Sequence, residues 1–396
     1  LVLGVLRASQ SITHNLKILF FIMSRKNDPQ AAKLRFYPTS KADFFSTLRK
    51  NVDNYFKENE ISKYGNHHFA IKTATMLGLY IIPFVLILTG YFSIWVMLFF
   101  TFLIGIGKAG IGMCVMHDAN HGSAYPSKTI NKVLGNTMYL LGASTFAWKI
   151  QHNVLHHTYT NIYDMDEDID SKFIIRLSPY AELKKFHKYQ HIYALPLYCF
   201  LTLAVLVKDF TQVISYTSKN FQFKAKTTQF KEVTILILTK LAYLGCVLLL
   251  PYLLLDITVW QLAIGFCVAH FTTGIILSVV FQLAHVVENT EHHQVLDNED
   301  NLENTWAAHQ LHTTADFARN NRLLSWYVGG LNFQIEHHLF PNICHVHYKA
   351  ISDIVKNTAQ QFNLPYNEMP TFRSAIKSHL KTLKQLGQVE LQSTPA

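Results

Sequence analysis

Charge is scarce in this chain. Lys, Arg, Asp and Glu make up only 15% of 396 residues, while 49% are apolar and 13% aromatic. So low a charged share argues against an ordinary soluble protein of this length. Cysteine is scarce too. The five, Cys114, Cys199, Cys246, Cys267 and Cys344, include no Cys-x-x-Cys pair, and four lie in apolar runs. That leaves no zinc-thiolate or iron–sulfur framework and reads as small buried hydrophobes in a reducing compartment. No basic stripe interleaved with stacking aromatics lies outside the apolar runs, so the net charge of +9 does not mark a nucleic-acid surface. In a membrane protein such an excess belongs on cytoplasmic loops facing anionic lipid. Internal repeats, linkers and low-complexity segments are also missing.

What the chain does hold is histidine in clusters. Met116-His117-Asp118-Ala119-Asn120-His121 follows a long apolar run. Gln151-His152-Asn153-Val154-Leu155-His156-His157 comes next, and Phe333-Gln334-Ile335-Glu336-His337-His338 lies near the end. Residues i, i+3 and i+4 share one helix face, so each cluster aims two or three imidazoles at one point. Neutral imidazole is the commonest metal ligand, and seven clustered copies exceed the needs of one ion. Without thiolates, such a set suits iron, copper, zinc or nickel. The pattern predicts a two-metal centre held by three separated segments.

Apolar runs of membrane length lie at 69–89, 92–116, 233–255 and 259–281. Lys108 interrupts the second. It is expected to snorkel at the interface while the helix runs on and carries His117 roughly 13 Å above it. The runs 133–148 and 192–207 are shorter than the roughly 18–20 residues a span wants, and read as interfacial or re-entrant helices walling a lipid tunnel. The connections 90–93 and 256–258 carry no Lys or Arg, which places them outside and every long segment in the cytoplasm. Parity adds a constraint. If 192–207 crossed once, the first two clusters and the third would face opposite sides and share no metal. The expectation is therefore four spans.

Residues 1–63 read as a cytoplasmic N-terminal segment. Within it 43–58 has helical periodicity, with Phe44, Leu48, Val52, Tyr55 and Phe56 on one side. Residues 1–22 read as a start-site artefact with Met23 as the working start, since no signal-peptide cleavage site follows the patch at 16–23. Residues 64–348 form the main domain, and 349–396 a polar, helical, cytoplasmic tail ending in disorder.

His-Asp-Ala-Asn-His, His-x-x-x-His-His and Gln-x-x-His-His together resemble the three histidine boxes of the membrane fatty acid desaturases, over about residues 64–348. Gln334, opening the third box, is similar to the front-end branch, which inserts a double bond between an existing one and the carboxyl end. The resemblance implies an all-α integral membrane protein. Four transmembrane helices would carry a cytoplasmic helical cap with a histidine-ligated di-metal site. It implies His117, His121, His152, His156, His157, His337 and His338 as ligands of two iron ions. His285, just after the fourth apolar run, fits the further ligand expected there. Gln334 either ligates, holds a water or supports a ligand; His309 either supports the site or lies on the surface.

Dioxygen is the implied oxidant and an acyl-CoA or phospholipid acyl chain the implied substrate, alongside membrane lipid. Many eukaryotic front-end relatives fuse a haem domain marked His-Pro-Gly-Gly. That motif is absent here, which implies an external ferredoxin or cytochrome supplied through an NAD(P)H reductase. The same oxidant would serve a membrane hydroxylase of alkyl, sphingolipid or carotenoid substrates; the third box favours desaturation. A metal-binding membrane protein or transporter that is no enzyme would spread polar groups through the spans, whereas here the histidines gather outside the bilayer on one side.

Other residues carry weaker expectations. Asp164, Asp166, Glu167, Asp168 and Asp170 either anchor second-box histidines or form a solvated loop. Lys172, Lys184, Lys185 and Lys188 suit an acidic electron carrier or lipid headgroups. His292 and His293 read as exposed loop, and His67, His68, His345 and His347 as ordinary interfacial residues. His270, inside the fourth run, either lines the substrate path or bonds a neighbouring helix.

Overall fold

The computed structural model describes residues 35–36, 42–170, 173–218, 221, 227–294, 301–302 and 304–389. Among these, four helices are long and apolar enough to cross a membrane: His67–Leu88, Ile94–His121, Gln229–Leu254 and Val259–His285. They match the four expected runs. Their starts follow from capping. Asn66 accepts from the backbone of His68 at 3.0 Å. Thr258 and Gln261 cap each other's backbone ahead of the fourth span. Short strands of two or three residues pair in parallel at three places, and they add no sheet layer to the helical fold.

In chain order the helices are α1 (Ala42–Glu58), α2 (His67–Leu88), α3 (Ile94–His121), α4 (Lys128–Gly135) and α5 (145–159). Then come α6 (Gln190–Tyr198), α7 (Leu201–Tyr216), α8 (Gln229–Leu254) and α9 (Val259–His285). The chain closes with α10 (Trp306–Thr313), α11 (Arg322–Tyr327), α12 (Gln334–Leu339), α13 (Tyr348–Gln361) and α14 (Phe372–Leu386).

Helices α6 and α7 cover the 192–207 run and differ from the single stretch expected. They break at 199–200 and the segments either side are bent by 87°. Two spans, α8 and α9, already lie between the second box and the third. With the boxes meeting in one place, the bent pair cannot add a single crossing.

A helical cap sits on the span ends that carry His121 and His285. Phe44, Leu48 and Val52 of α1 are buried against Ile351 and Val355 of α13, with Ala308 of α10 and Ile335 of α12 in the same cluster. The amphipathic face of 43–58 thus binds protein. Residues after 349 are helical as expected, but they do not hang free. α13 packs on α1, and Leu383 of α14 joins Ala194 and Tyr198 of α6 in another cluster. The disorder expected at the end of the tail, the reading of 1–22 and Lys172 fall outside the described residues.

Lys108 contradicts the snorkelling expectation. It is 1% exposed and donates to the Tyr243 hydroxyl at 2.8 Å. The reason is tertiary: α8 and α9 close over the face of α3 that carries it.

Candidate metal centre

Box one closes α3. Just before it, Ile111–Val115 is wound as a π-helix, and Gly122 ends the helix with φ of 75°. Box two lies in a longer π-helical stretch, Lys149–His156. This winding departs from the α-helical spacing expected, and it explains how three imidazoles of that box converge. With i→i+5 bonding, residues four and five apart flank one face, so His156 and His157 both turn toward the side of His152. Box three is α12. Its adjacent residues His337 and His338 diverge by roughly 100° around the helix, which suits them to different ions.

Two groups of ligand atoms made of histidine alone result, and His152 and His156, one from each, also come together with Asp168. The ring nitrogens of His117, His121, His152 and His337 lie within 4.8 Å of one another, as do those of His156, His285 and His338. His157 belongs to neither group, yet its ring lies 4.4 Å from His338 and 4.6 Å from His337, between the two. All eight histidines named from the sequence therefore meet, although they come from α3, α5, α9 and α12.

The free atoms fit metal ions. Nε2 of His117, His121, His156, His285, His337 and His338 is buried without a hydrogen-bond partner. For five of these rings the opposite nitrogen, Nδ1, is held. Its partners are Asp118 for His117 at 3.4 Å, Asp166 for His156 at 3.1 Å and the Thr313 carbonyl for His285 at 3.3 Å. The Tyr348 hydroxyl serves His337 at 3.2 Å, and the Gln310 amide oxygen serves His338 at 2.8 Å. An Nδ1–H held by oxygen leaves Nε2 as the lone-pair donor, as in oriented metal ligands. Burial, and then neighbouring histidines, push His152, His157, His337 and His338 well below the ordinary imidazole range. These rings are neutral, the form that binds metal. Burial also depresses His156, but the Asp166 and Asp168 carboxylates outweigh it and raise it to about 9. A metal cation at Nε2 would displace that proton.

The acidic segment thus serves the second box through Asp166 and Asp168. Glu167 instead accepts from the Tyr216 hydroxyl at 2.7 Å and pairs with Lys208 at 3.3 Å. His309 is buried and its Nε2 lies 2.8 Å from the Thr160 carbonyl, so it supports the site. Gln334 is buried with its amide nitrogen unpartnered. Tyr348, Gln310, Thr160 and Thr313 were not anticipated, because no spacing rule links them to the boxes. Asp166→Asn should cut bound metal and turnover roughly 10- to 100-fold while the protein stays folded. Metal content by mass spectrometry alongside product yield checks this; unchanged metal affinity would refute the role.

Three weaker expectations need correction. His345 is no ordinary interfacial residue: its Nδ1 lies 2.7 Å from Asp118 and its Nε2 2.6 Å from Lys72. It backs the carboxylate that holds His117. His347 is also buried, against the Tyr64 carbonyl at 3.0 Å. His292 and His293 are half-buried, and the second sits in a short strand paired with 162–163. His67 and His68 are exposed, as are Lys185 and Lys188, while Lys184 pairs with Glu182. His270 bonds neighbouring helices, the second of its readings. It lines a cavity among the spans and bonds Thr202 of α7 at 2.9 Å.

An apolar cavity of about 190 Å³ opens beside the centre. His152, Gln151 and Trp148 stand at one end, and Gly112, Leu277 and Phe281 line it toward the spans.

Comparison with known proteins agrees with this geometry. The family model for fatty acid desaturases matches residues 93–370. An sn-1 linoleoyl-lipid 6-desaturase of Synechocystis is 35% identical over 90% of this chain and 99% of its own. Another, from Arthrospira platensis, is 32% identical over 87% and 92%. An acyl-lipid (8-3)-desaturase of Physcomitrium patens is 33% identical over 91% of this chain and 75% of its own. A match of that extent, on a chain whose boxes meet in one buried centre between membrane-length helices, makes this protein a membrane-bound oxidoreductase of the fatty acid desaturase family.

Proposed function

We propose that the protein is a front-end acyl-lipid desaturase that places a cis double bond in an already unsaturated chain, in the manner of the 6-desaturases it resembles. The observation that carries the reading is the pair of histidine groups beside an apolar cavity, whose Nε2 atoms are unpartnered apart from that of His152, which lies 3.3 Å from His157 Nε2. In this reading His117, His121, His152 and His337 hold one iron, His156, His285 and His338 hold the other, and His157 stands between them. Bound there, two irons with dioxygen and two electrons supply the power to take two hydrogens from adjacent methylenes, with water as the other product.

The chain's own residues do the positioning. Asp118, Asp166, Tyr348, Gln310 and the Thr313 carbonyl fix ring orientation through Nδ1. Trp148, stacked on His152 at 4.5 Å, closes one side of the centre. The cavity seats the acyl chain against it and keeps water away. The boxes face the cytoplasm, where an external electron carrier reaches them. The absence of Lys and Arg from 90–93 and 256–258 supports that orientation.

The test is expression in a host that supplies linoleoyl lipid, with double bonds located by mass spectrometry. A new bond at carbon 6 is expected. Conversion of saturated chains alone would end the front-end reading, and hydroxylated chains would favour a membrane hydroxylase.

A further inference from the structure

A second apolar cavity, of about 280 Å³, lies deeper among the spans, with Leu98, Val247 and Phe266 in its walls. It does not touch the histidine centre. Between it and the cavity beside His152 runs a chain of polar groups. Lys108 of α3 donates to the Tyr243 hydroxyl of α8 at 2.8 Å. That hydroxyl lies 2.8 Å from Nε2 of His270 on α9. Nδ1 of His270 lies 2.9 Å from the Thr202 hydroxyl of α7, which itself donates to the His270 carbonyl at 3.0 Å.

The directions form one consistent set. The lysine donates to tyrosine, tyrosine to Nε2, and Nδ1–H to threonine, whose own proton goes to the carbonyl. His270 is 0% exposed and Lys108 1%. Thr202 lines the first cavity; Lys108, Tyr243 and His270 line the second. On α3, Gly112 borders the first cavity and Lys108 the second, only about 6 Å apart along the axis. Four elements, α3, α7, α8 and α9, thus meet through these bonds between the two cavities.

Apolar side chains would join these helices at less cost, since polar groups in a bilayer are expensive and mark function. An alkyl tail can neither donate nor accept. Pushing through would leave buried donors unpaired, which is unfavourable even where space exists beyond. We propose that Lys108, Tyr243, His270 and Thr202 form a hydrogen-bonded partition that ends the acyl-chain site, so that these four residues set the longest tail accepted beyond the reacting carbons. The inference rests on the acyl-lipid reading above.

The experiment supplies 18-carbon and 20-carbon acyl lipids together to the wild type and to Tyr243→Ala and His270→Ala. Opening the partition should raise the ratio of 20-carbon to 18-carbon product by roughly tenfold, within the range that pocket shape can discriminate. An unchanged ratio in folded, active variants overturns the partition. Should both variants misfold, an 18-carbon chain with a photoreactive diazirine at its methyl end decides the matter on the wild type. Labelling of Thr202 without labelling of Leu98 or Val247 supports the wall, whereas labelling of Leu98 or Val247 shows that the tail passes it. A wild type that converts neither lipid defeats the acyl-lipid reading itself, which is a separate outcome.

Discussion

His121→Ala and His338→Ala should each lower double-bond formation by roughly three orders of magnitude or more, and the double variant should be no slower than either. Groups that act as one unit fail together, so losses do not add. The two residues are chosen because they lie in different groups of ligand atoms. A shared centre needs both ions, whereas two independent metal sites would let one variant keep partial turnover. Iron content separates the cases further. Each single variant should lose about one of two irons per chain, because a site built on neutral imidazoles has few donors to spare. Normal turnover in either variant, or full iron in both, would sink the two-ion centre. A fold defect is distinguishable, since both side chains point into the same buried site and their removal leaves the span interfaces untouched.

Much of that centre was legible because histidine spacing is a local property. His117 and His121 sit four apart on a helix that also reads as a membrane span, so both their common face and their place at its end follow from the sequence. His285 came from the family resemblance, which implies a further ligand just after the fourth apolar run. What spacing could not show is the oxygen behind each ring. Tyr348 holds His337, and Gln310 holds His338, across loops whose course only packing decides. The π-winding of Lys149–His156 was equally invisible, because an α-helical and a π-helical register use the same residues. Lys108 was misread for a related reason. A lysine near the end of an apolar run ordinarily reaches water, and only the closure of α8 and α9 over it removes that route. The same tertiary effect turned residues 349–389 from an expected tail into part of the cap.

Two glycines in the spans are expected to be as intolerant as the ligands, through packing. A Cβ on Gly274 would lie 2.3 Å from the Cys199 carbonyl oxygen, at the break between α6 and α7. One on Gly105 would lie 2.6 Å from Thr272 Cβ and 2.8 Å from the Ala269 carbonyl oxygen of α9. Backbone cannot swing aside as a flexible side chain can. Close approach at small residues is how helices associate in lipid, where apolar burial alone drives little. Gly274→Leu and Gly105→Leu should therefore cost about 3 kcal/mol or more, at or above the upper end of ordinary overpacking. Both should lower the yield of monodisperse protein and its melting temperature. Activity should fall with them, because α9 carries His285 to the metal centre and α3 carries His117 and His121. Gly245→Ala provides the contrast. Nothing lies within 4 Å of a Cβ there, and alanine is favoured over glycine in a helix by roughly 0.5–1 kcal/mol, so stability should hold or rise slightly. Equal behaviour of the three variants in size-exclusion and thermal-melt assays would show that α9 is not held by close backbone contact.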